Sequence, residues 1–295
     1  MNKLKLELLI LASVLFFTSC SNTTTPVNNP GISGTLYYNT LSELHKINLG
    51  TGTVTKIGTA LGPNVLSDGR ILCVSIGDGL AIISADGAQK QIIVKEQHYA
   101  PYDVTYDDFF LNPQLSPDKQ SIAYDDGHVS PFCYVVDING NLLWSIGDPA
   151  VNAKGRYERP VWGKDGSLFV QGEINYNNGI YKIAKDFKSI TRIDPNLSTV
   201  TRPTVSPDGA TIAFIVNGDL WLMGNDGSNA HALTTGKSSL DYPAWSPDGK
   251  WIACYGPAFD IYFIPVGGGN IVLSSQAIPN LKQDEAIGGY QMDWK

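Results

Sequence analysis

Apolar residues along this chain come in short runs, and each run is bounded by turn-forming residues. Thr211–Val216 is followed by Asn217-Gly218, then by an apolar run at 219–223, by Asn225-Asp226-Gly227 and by a last run at 230–233. Runs of this length and spacing predict antiparallel strands joined by tight turns. The order repeats immediately, with Trp251–Tyr255, 260–264 and 270–273 as three further strands. Beyond the first twenty residues no segment sustains the long 3.6-residue apolar period of a helical repeat, so the chain reads as all-β.

One phrase precedes each set of strands. Its clean copies are Pro203-Thr204-Val205-Ser206-Pro207-Asp208-Gly209 and Pro243-Ala244-Trp245-Ser246-Pro247-Asp248-Gly249. Looser copies surround Ser116-Pro117-Asp118-Lys119, Gly163-Lys164-Asp165-Gly166 and Ser67-Asp68-Gly69. Proline presets φ for a type I turn, and glycine accepts the left-handed conformation that closes it, so each copy is a strand, a turn and a second strand. With the apolar residue before each turn as a ruler, Leu66, Leu115, Trp162, Val205 and Trp245 fall at intervals of 49, 47, 43 and 40 residues. Strand-only periods of roughly 40 to 50 residues are what the four-stranded blades of a propeller require. Leu72, Ile122, Phe169, Ile212 and Ile252 all lie three residues beyond the turn glycine or the Lys119 that replaces it. That constant apolar register is the expected packing surface between blades.

The two ends complete one another. Segments 34–38, 43–47 and 53–57 read as strands b, c and d without a strand a, and 290–294 reads as a strand a with nothing after it. Trp294 lies 49 residues beyond Trp245 and continues the ruler. Joining the termini gives a sixth blade and removes the open sheet edge that would otherwise template aggregation. The predicted fold is a six-bladed β-propeller over residues 34–295 with its ring closed by the C-terminal strand.

The Pro-x-Trp-Ser-Pro-Asp-Gly phrase, with the Asp-Gly turn between strands c and d, resembles the TolB-type β-propeller repeat. That resemblance implies the six-bladed fold and, through the periplasmic TolB protein, a role in protein interaction in the bacterial envelope. The chain has no counterpart of the separate N-terminal α/β domain of that family. Similar blades also occur in the propeller of prolyl oligopeptidases and in some sugar lyases.

Residues 1–19 carry Lys3, Lys5, an apolar stretch at 8–17 and Thr18-Ser19 ahead of Cys20. Such a stretch is too short to span a bilayer and reads as a signal-peptide core. The Phe-Thr-Ser-Cys ending resembles a lipobox, which implies that Cys20 becomes the lipidated first residue. Ordinary secretory cleavage is the alternative. Residues 20–33, rich in Asn, Thr, Pro and Gly, read as a flexible tether. These features place the protein in a bacterial envelope, lipid-anchored at the outer membrane with a periplasmic or surface orientation.

The formal charge of −7 becomes −8 once Lys3, Lys5 and Glu7 are removed, and no basic cluster offsets it. Nucleic acid is therefore not an expected partner. Many carboxylates belong to Asp-Gly turns, where a local turn role accounts for them. Cys73, Cys133 and Cys254 fall on separate strands and are expected as buried thiols rather than a disulfide. No cofactor and no metal site is expected: the four histidines are scattered, and neither a zinc-binding His motif nor a Gly-x-Ser-x-Gly elbow occurs.

In a propeller the a–b and c–d turns share one face, and the longer b–c and d–a connections share the other. Long loops on a rigid scaffold are where binding concentrates. The connection between blades 2 and 3 supplies His98, Tyr99, Tyr102, Asp103, Tyr106 and Asp107. Neighbouring loops supply Asp126 and His128, Arg156 and Tyr157, and Tyr176. Aromatic faces interleaved with carboxylates suit a peptide or a sugar. The sequence reading is a monomeric, membrane-anchored module that binds a protein or peptide. Glycan binding, or metal-dependent cleavage of the sugar-lyase kind, is the second class, and the sequence assigns no catalytic residue.

Overall fold

The computed structural model describes residues 31–295 apart from 41, 96–97, 100–105, 108–109, 127–131, 147–154, 175–176, 238, 258–259 and 279–290. Six four-stranded antiparallel sheets form six blades, each in the sequence order a-b-c-d from the axis outward. Strands a are Leu61–Val65 in blade 2, Phe110–Leu115 in blade 3, Gly155–Trp162 in blade 4, Val200–Val205 in blade 5 and Asp241–Trp245 in blade 6. Blade 1 is the composite one: Asp293–Trp294 pairs with Thr35–Thr40, which is followed by Glu43–Asn48 and Val54–Thr59.

Turn chemistry sets the hairpins. In blades 3, 5 and 6 the serine hydroxyl donates to the aspartate two residues on, at 2.6, 2.5 and 2.7 Å for Ser116, Ser206 and Ser246. The same hydroxyl accepts the N–H of the residue opening strand b, at 2.9 Å for Ser121, 3.0 Å for Thr211 and 2.9 Å for Trp251. Asp118, Asp208 and Asp248 in turn accept the N–H two residues further on, and these bonds hold their carboxyls below the usual carboxylate range. The acidic turn residues thus serve the loop itself.

The constant apolar register is the inter-blade core. Leu72 and Ile122 pack in one cluster between blades 2 and 3, Phe169 and Ile212 in another between blades 4 and 5, and all are at most 1% exposed. Burial falls off outward: strand b of blade 2 is buried throughout, whereas Leu142 and Leu143 on the outermost strand of blade 3 lie in the open.

One ruler position is displaced by a residue. In blade 2 the strand residue is Val65, which faces Ile71, and Leu66 is the first residue of the turn, donating to the Arg70 carbonyl and accepting from the Gly69 N–H. Leu66 stands where other blades place Ser116, Ser206 and Ser246, and without the Ser-Pro pair the loop is shorter, which shifts the apparent register.

The ring closes through the C-terminus. Leu36 pairs with Trp294 and Tyr37 with Asp293, and Thr35 and Lys295 exchange backbone hydrogen bonds of 2.6 and 2.9 Å. Trp294 donates its indole N–H to the Ser33 carbonyl at 2.8 Å and meets the Phe263 ring of blade 6 edge-on at 5.3 Å. Gly34 has φ +101°, and a Cβ there would collide with the Lys295 carbonyl. Regular pairing of the closing strand covers Asp293–Trp294, and position 290 of the expected strand lies outside the described residues.

Candidate functional site: the axial cavity

Strand a of each blade has one edge facing the axis, which frees it from full ladder pairing and lets it carry proline. Five blades use this freedom at the same place. Gly62-Pro63, Asn112-Pro113, Arg159-Pro160, Arg202-Pro203 and Tyr242-Pro243 each begin four residues before the turn. The pairing register with strand b slips at every one of them, as in a β-bulge. The residue before proline is left-handed in all five, with φ of +59°, +48°, +57°, +59° and +48°. Glycine takes that conformation freely and asparagine with little cost, but arginine and tyrosine do not.

Asn112, Arg159, Arg202 and Tyr242, with residues of the strands that follow them and Asn64 of blade 2, wall a cavity of about 360 Å³ on the propeller axis. All six blades contribute to its lining, including Gln291 to Lys295 of the closing strand. The left-handed residues lie toward the long-loop end because they come early in strand a, and Pro207 and Pro247 mark the turn end. Between them the wall is a polar belt that includes Asn64, Gln114, Thr204 and Asp293, backed by apolar side chains such as Met292, Trp245 and Trp294.

Neighbouring blades are tied around this wall. The Asp293 carboxylate accepts the Val65 N–H at 2.6 Å, and Asn64 accepts the Leu115 N–H at 3.0 Å. The indoles of Trp162 and Trp245 donate to the carbonyls of Gln114 and Thr204 at 3.1 and 3.3 Å. Burial raises the Asp293 carboxyl from its ordinary range, against the pull of Lys295 and the Val65 N–H.

At the long-loop end three large side chains meet. The guanidinium groups of Arg159 and Arg202 lie over the Tyr242 ring at 4.9 and 4.2 Å from its centroid. Arg202 is ion-paired with Asp241, whose carboxylate lies 2.5 Å from Nε and accepts from the terminal nitrogen at 2.9 Å. Arg159 donates to the Tyr242 hydroxyl and to Asn112 Oδ1, each at 3.3 Å. Behind Asn112 lies Asp125, which is 1% exposed and accepts the Asn112 amide N–H at 2.9 Å. Burial pushes the Asp125 carboxyl up to about 7, although Arg159 and Asn112 pull it down. Such a group is half-protonated near neutrality, and it stands directly behind Asn112 in the cavity wall.

The loop-face residues expected from sequence fall differently. His98, Tyr99, Tyr106 and Asp107 form a two-stranded ribbon, with His98 opposite Asp107 and Tyr99 opposite Tyr106. Tyr102, Asp103, His128 and Tyr176 lie outside the described residues. Asp126 is buried, accepting the Phe132 N–H at 2.8 Å. Tyr157 is 2% exposed in the core between blades 3 and 4, edge-on to Tyr181, whereas Arg156 beside it is exposed. Cys73, Cys133 and Cys254 are buried free thiols, and burial pushes the Cys73 thiol up to about 12. Among the described residues no group of three or more His, Cys, Asp or Glu side chains is placed to hold a metal ion.

The axial residues were not singled out by sequence reasoning. Their signal is present nonetheless: a proline recurs at the same distance before each turn, and the position ahead of it changes from Gly62 to Asn112, Arg159, Arg202 and Tyr242.

No protein-family model and no curated protein matches the chain. Solved structures do. TolB from Acinetobacter baumannii superposes with a TM-score of 0.63 at 15% identity, covering 88% of this chain and 66% of that one, just under two thirds of its length. A protein assigned as TolB in Agrobacterium tumefaciens gives 0.57 at 18% identity, covering 89% of this chain and 98% of that one. A puromycin hydrolase gives 0.53 at 13% identity over 79% of this chain and 42% of that one. At these identities what is shared is the fold, and the chain is a six-bladed β-propeller of the kind found in TolB.

Proposed function

We propose that this chain is a bacterial envelope lipoprotein whose propeller is a binding module for a protein or peptide segment, received in the axial cavity from the long-loop face. One observation carries the reading: Arg159, Arg202 and Tyr242 all stand in left-handed backbone at the wall of a ligand-sized cavity. Each such residue costs about 1–2 kcal/mol in backbone energy, a cost that Gly62 at the same position avoids. Strain of that kind, retained at a cavity wall, marks a site that the rest of the structure is built to hold. The volume is within the usual range for ligand pockets, and the mixture of apolar wall and few polar groups is typical of them.

The anchor follows from the N-terminus. Cys20 after its short apolar stretch supports lipidation, residues 20–33 support a tether that holds the ring away from the bilayer, and the fold likeness to TolB supports an envelope location. Of the long-loop candidates, the described positions His98, Tyr99, Tyr106, Asp107 and Arg156 are then proposed to form the approach to the cavity.

Site-specific photo-crosslinking in cells tests the module. A photoreactive residue at Gln114 or Thr204 should give a discrete adduct with an envelope protein, and the same residue at the outward Leu142 should not. Equal labelling from both places, or none from the axis, refutes the axial assignment. Cys20→Ala should move the protein from the membrane to the soluble fraction; unchanged membrane fractionation refutes the anchor.

A further inference from the structure

Arg159 has five N–H donors. It uses two of them, both in long bonds of 3.3 Å, and its Nε is shielded from solvent with no partner at all. Native proteins leave few buried donors unsatisfied, so one at a cavity wall asks for an explanation. The Arg202 Nε likewise lacks a hydrogen-bond partner, but the Asp241 carboxylate stands 2.5 Å from it and accepts from the terminal nitrogen at 2.9 Å. The two arginines share the Tyr242 ring, yet the Arg202 charge is paired with a carboxylate, whereas both hydrogen bonds of Arg159 go to the neutral Asn112 and Tyr242 side chains and leave its charge for an acceptor outside the chain.

The surroundings select the kind of acceptor. Asp125 and Glu158 lie close enough to bear on the Arg159 charge, and Asp241 and Asp293 stand around the same cavity. A phosphate dianion would meet one uncommitted cation and several carboxyl groups. A carboxylate brings a single charge and two coplanar oxygens that match the guanidinium fork. Toward the turn end the wall becomes apolar, through Val205, Pro207, Trp245, Pro247 and Trp294. The complementary ligand is an acid group on an apolar body.

The geometry points to the axial cavity as a carboxylate-binding site, in which Arg159 takes the acid group and the proline and tryptophan wall takes the apolar remainder. This rests on the reading of the cavity as the ligand site, and it adds the class of ligand. The carboxylate has two sources, a free organic acid or an acidic side chain within a peptide.

Nuclear magnetic resonance titration of the mature, unlipidated protein separates the possibilities. The reporters are the Arg159 Nε signal, assigned by its loss in Arg159→Gln, and the indole N–H signals of Trp162 and Trp245. The probes are 3-phenylpropionate against 3-phenylpropionamide, and acetyl-Leu-Asp-Leu-amide against acetyl-Leu-Asn-Leu-amide. At least one acid should shift the Arg159 signal and bind about tenfold or more tightly than its amide. In Arg159→Gln that preference should fall below about twofold, and Arg159→Lys should keep part of it. Preference for the free acid alone names a small molecule as the source, and preference for the peptide alone names a peptide segment. If acid and amide move the indoles equally, the cavity binds but the carboxylate assignment is overturned. A matching Arg159 shift with inorganic phosphate also overturns it. If no probe moves the indoles, both the assignment and the ligand-site reading fall. Arg159→Lys guards against a folding artefact, because it retains the charge and the side-chain length.

Discussion

Replacing Trp294 with alanine probes the seam on which the ring depends. Trp294 is 3% exposed and sits in a cluster with Ile32, Leu36, Phe263 and Ile278, so its side chain bridges the N-terminal blade and blade 6. Burying a tryptophan removes about 150–250 Å² from water, which at about 25 cal/mol per Å² corresponds to about 4–6 kcal/mol. Measured losses for such truncations are about 3–5 kcal/mol, because the surroundings relax partly into the cavity. The lost indole bond to the Ser33 carbonyl adds about 1 kcal/mol. A total near 5 kcal/mol should lower the melting temperature by about 10–20 °C for a domain of this size. The backbone bonds between Thr35 and Lys295 need no side chain, so the variant should remain folded and monomeric at low temperature. Calorimetry and urea unfolding provide the measurement, and a double-mutant cycle with Phe263→Ala should show a coupling of about 0.5–1.5 kcal/mol for the edge-on pair. A loss under about 1 kcal/mol with no coupling would refute the closure energetics. Deleting residues 291–295 is the stronger perturbation: it exposes the Thr35–Thr40 edge and should produce aggregation rather than a stable monomer.

Other perturbations have signs that the structure fixes. Arg159→Asn should stabilise the propeller by about 0.5–1 kcal/mol in thermal unfolding, because asparagine tolerates the left-handed bulge, while ligand capture is lost. Asp125 has its carboxyl raised to about 7, so it supports folding fully below about pH 4 and loses that contribution as pH rises through 7; Asp125→Asn should flatten this decline, worth about 3 kcal/mol between pH 5 and pH 8, in urea titrations at those two pH values. Asp208 has the opposite sign, since its depressed carboxyl contributes above about pH 4 and ceases to as pH falls through the folded value; Asp208→Asn should weaken the fold at pH 7 and converge with the parent protein at pH 2–3.

The fold was legible in the sequence because its determinants are local. Ser206, Pro207, Asp208 and Gly209 contain their own hydrogen-bond partners within six residues, so the hairpin follows from the phrase alone. Closure was legible because Trp294 continues a spacing that the N-terminal strands lack. The slip at Leu66 arose where the Ser-Pro pair is missing and nothing local marks the last strand residue. Tyr157 shows a different limit: strand alternation from Gly155 to Trp162 turns its ring into the core and leaves Arg156 outside, and neither direction is visible until the strand start is known. The axial site was not legible because Asn112, Arg159, Arg202 and Tyr242 are some 40 residues apart in sequence and meet only through ring closure.

The repeat nevertheless explains why the site is where it is. A bulge that recurs in five blades brings the residue before each proline to the same level of the axis. Around that level three of the five hairpins keep the full phrase, in which Ser206 and Asp208 and their counterparts hold the turn, and blades 2 and 4 close a shorter turn through Leu66 and Gly163. The bulge residue has no such duty: as the sequence from Gly62 to Tyr242 shows, the backbone accepts at that point whatever the cavity requires, at a cost in strain. Variation concentrated at a geometrically fixed, axis-facing position lets a symmetric scaffold carry an asymmetric binding surface. Arg159 and Arg202 of adjacent blades, one hydrogen-bonded to neutral side chains and one paired with Asp241, are that asymmetry in its simplest form.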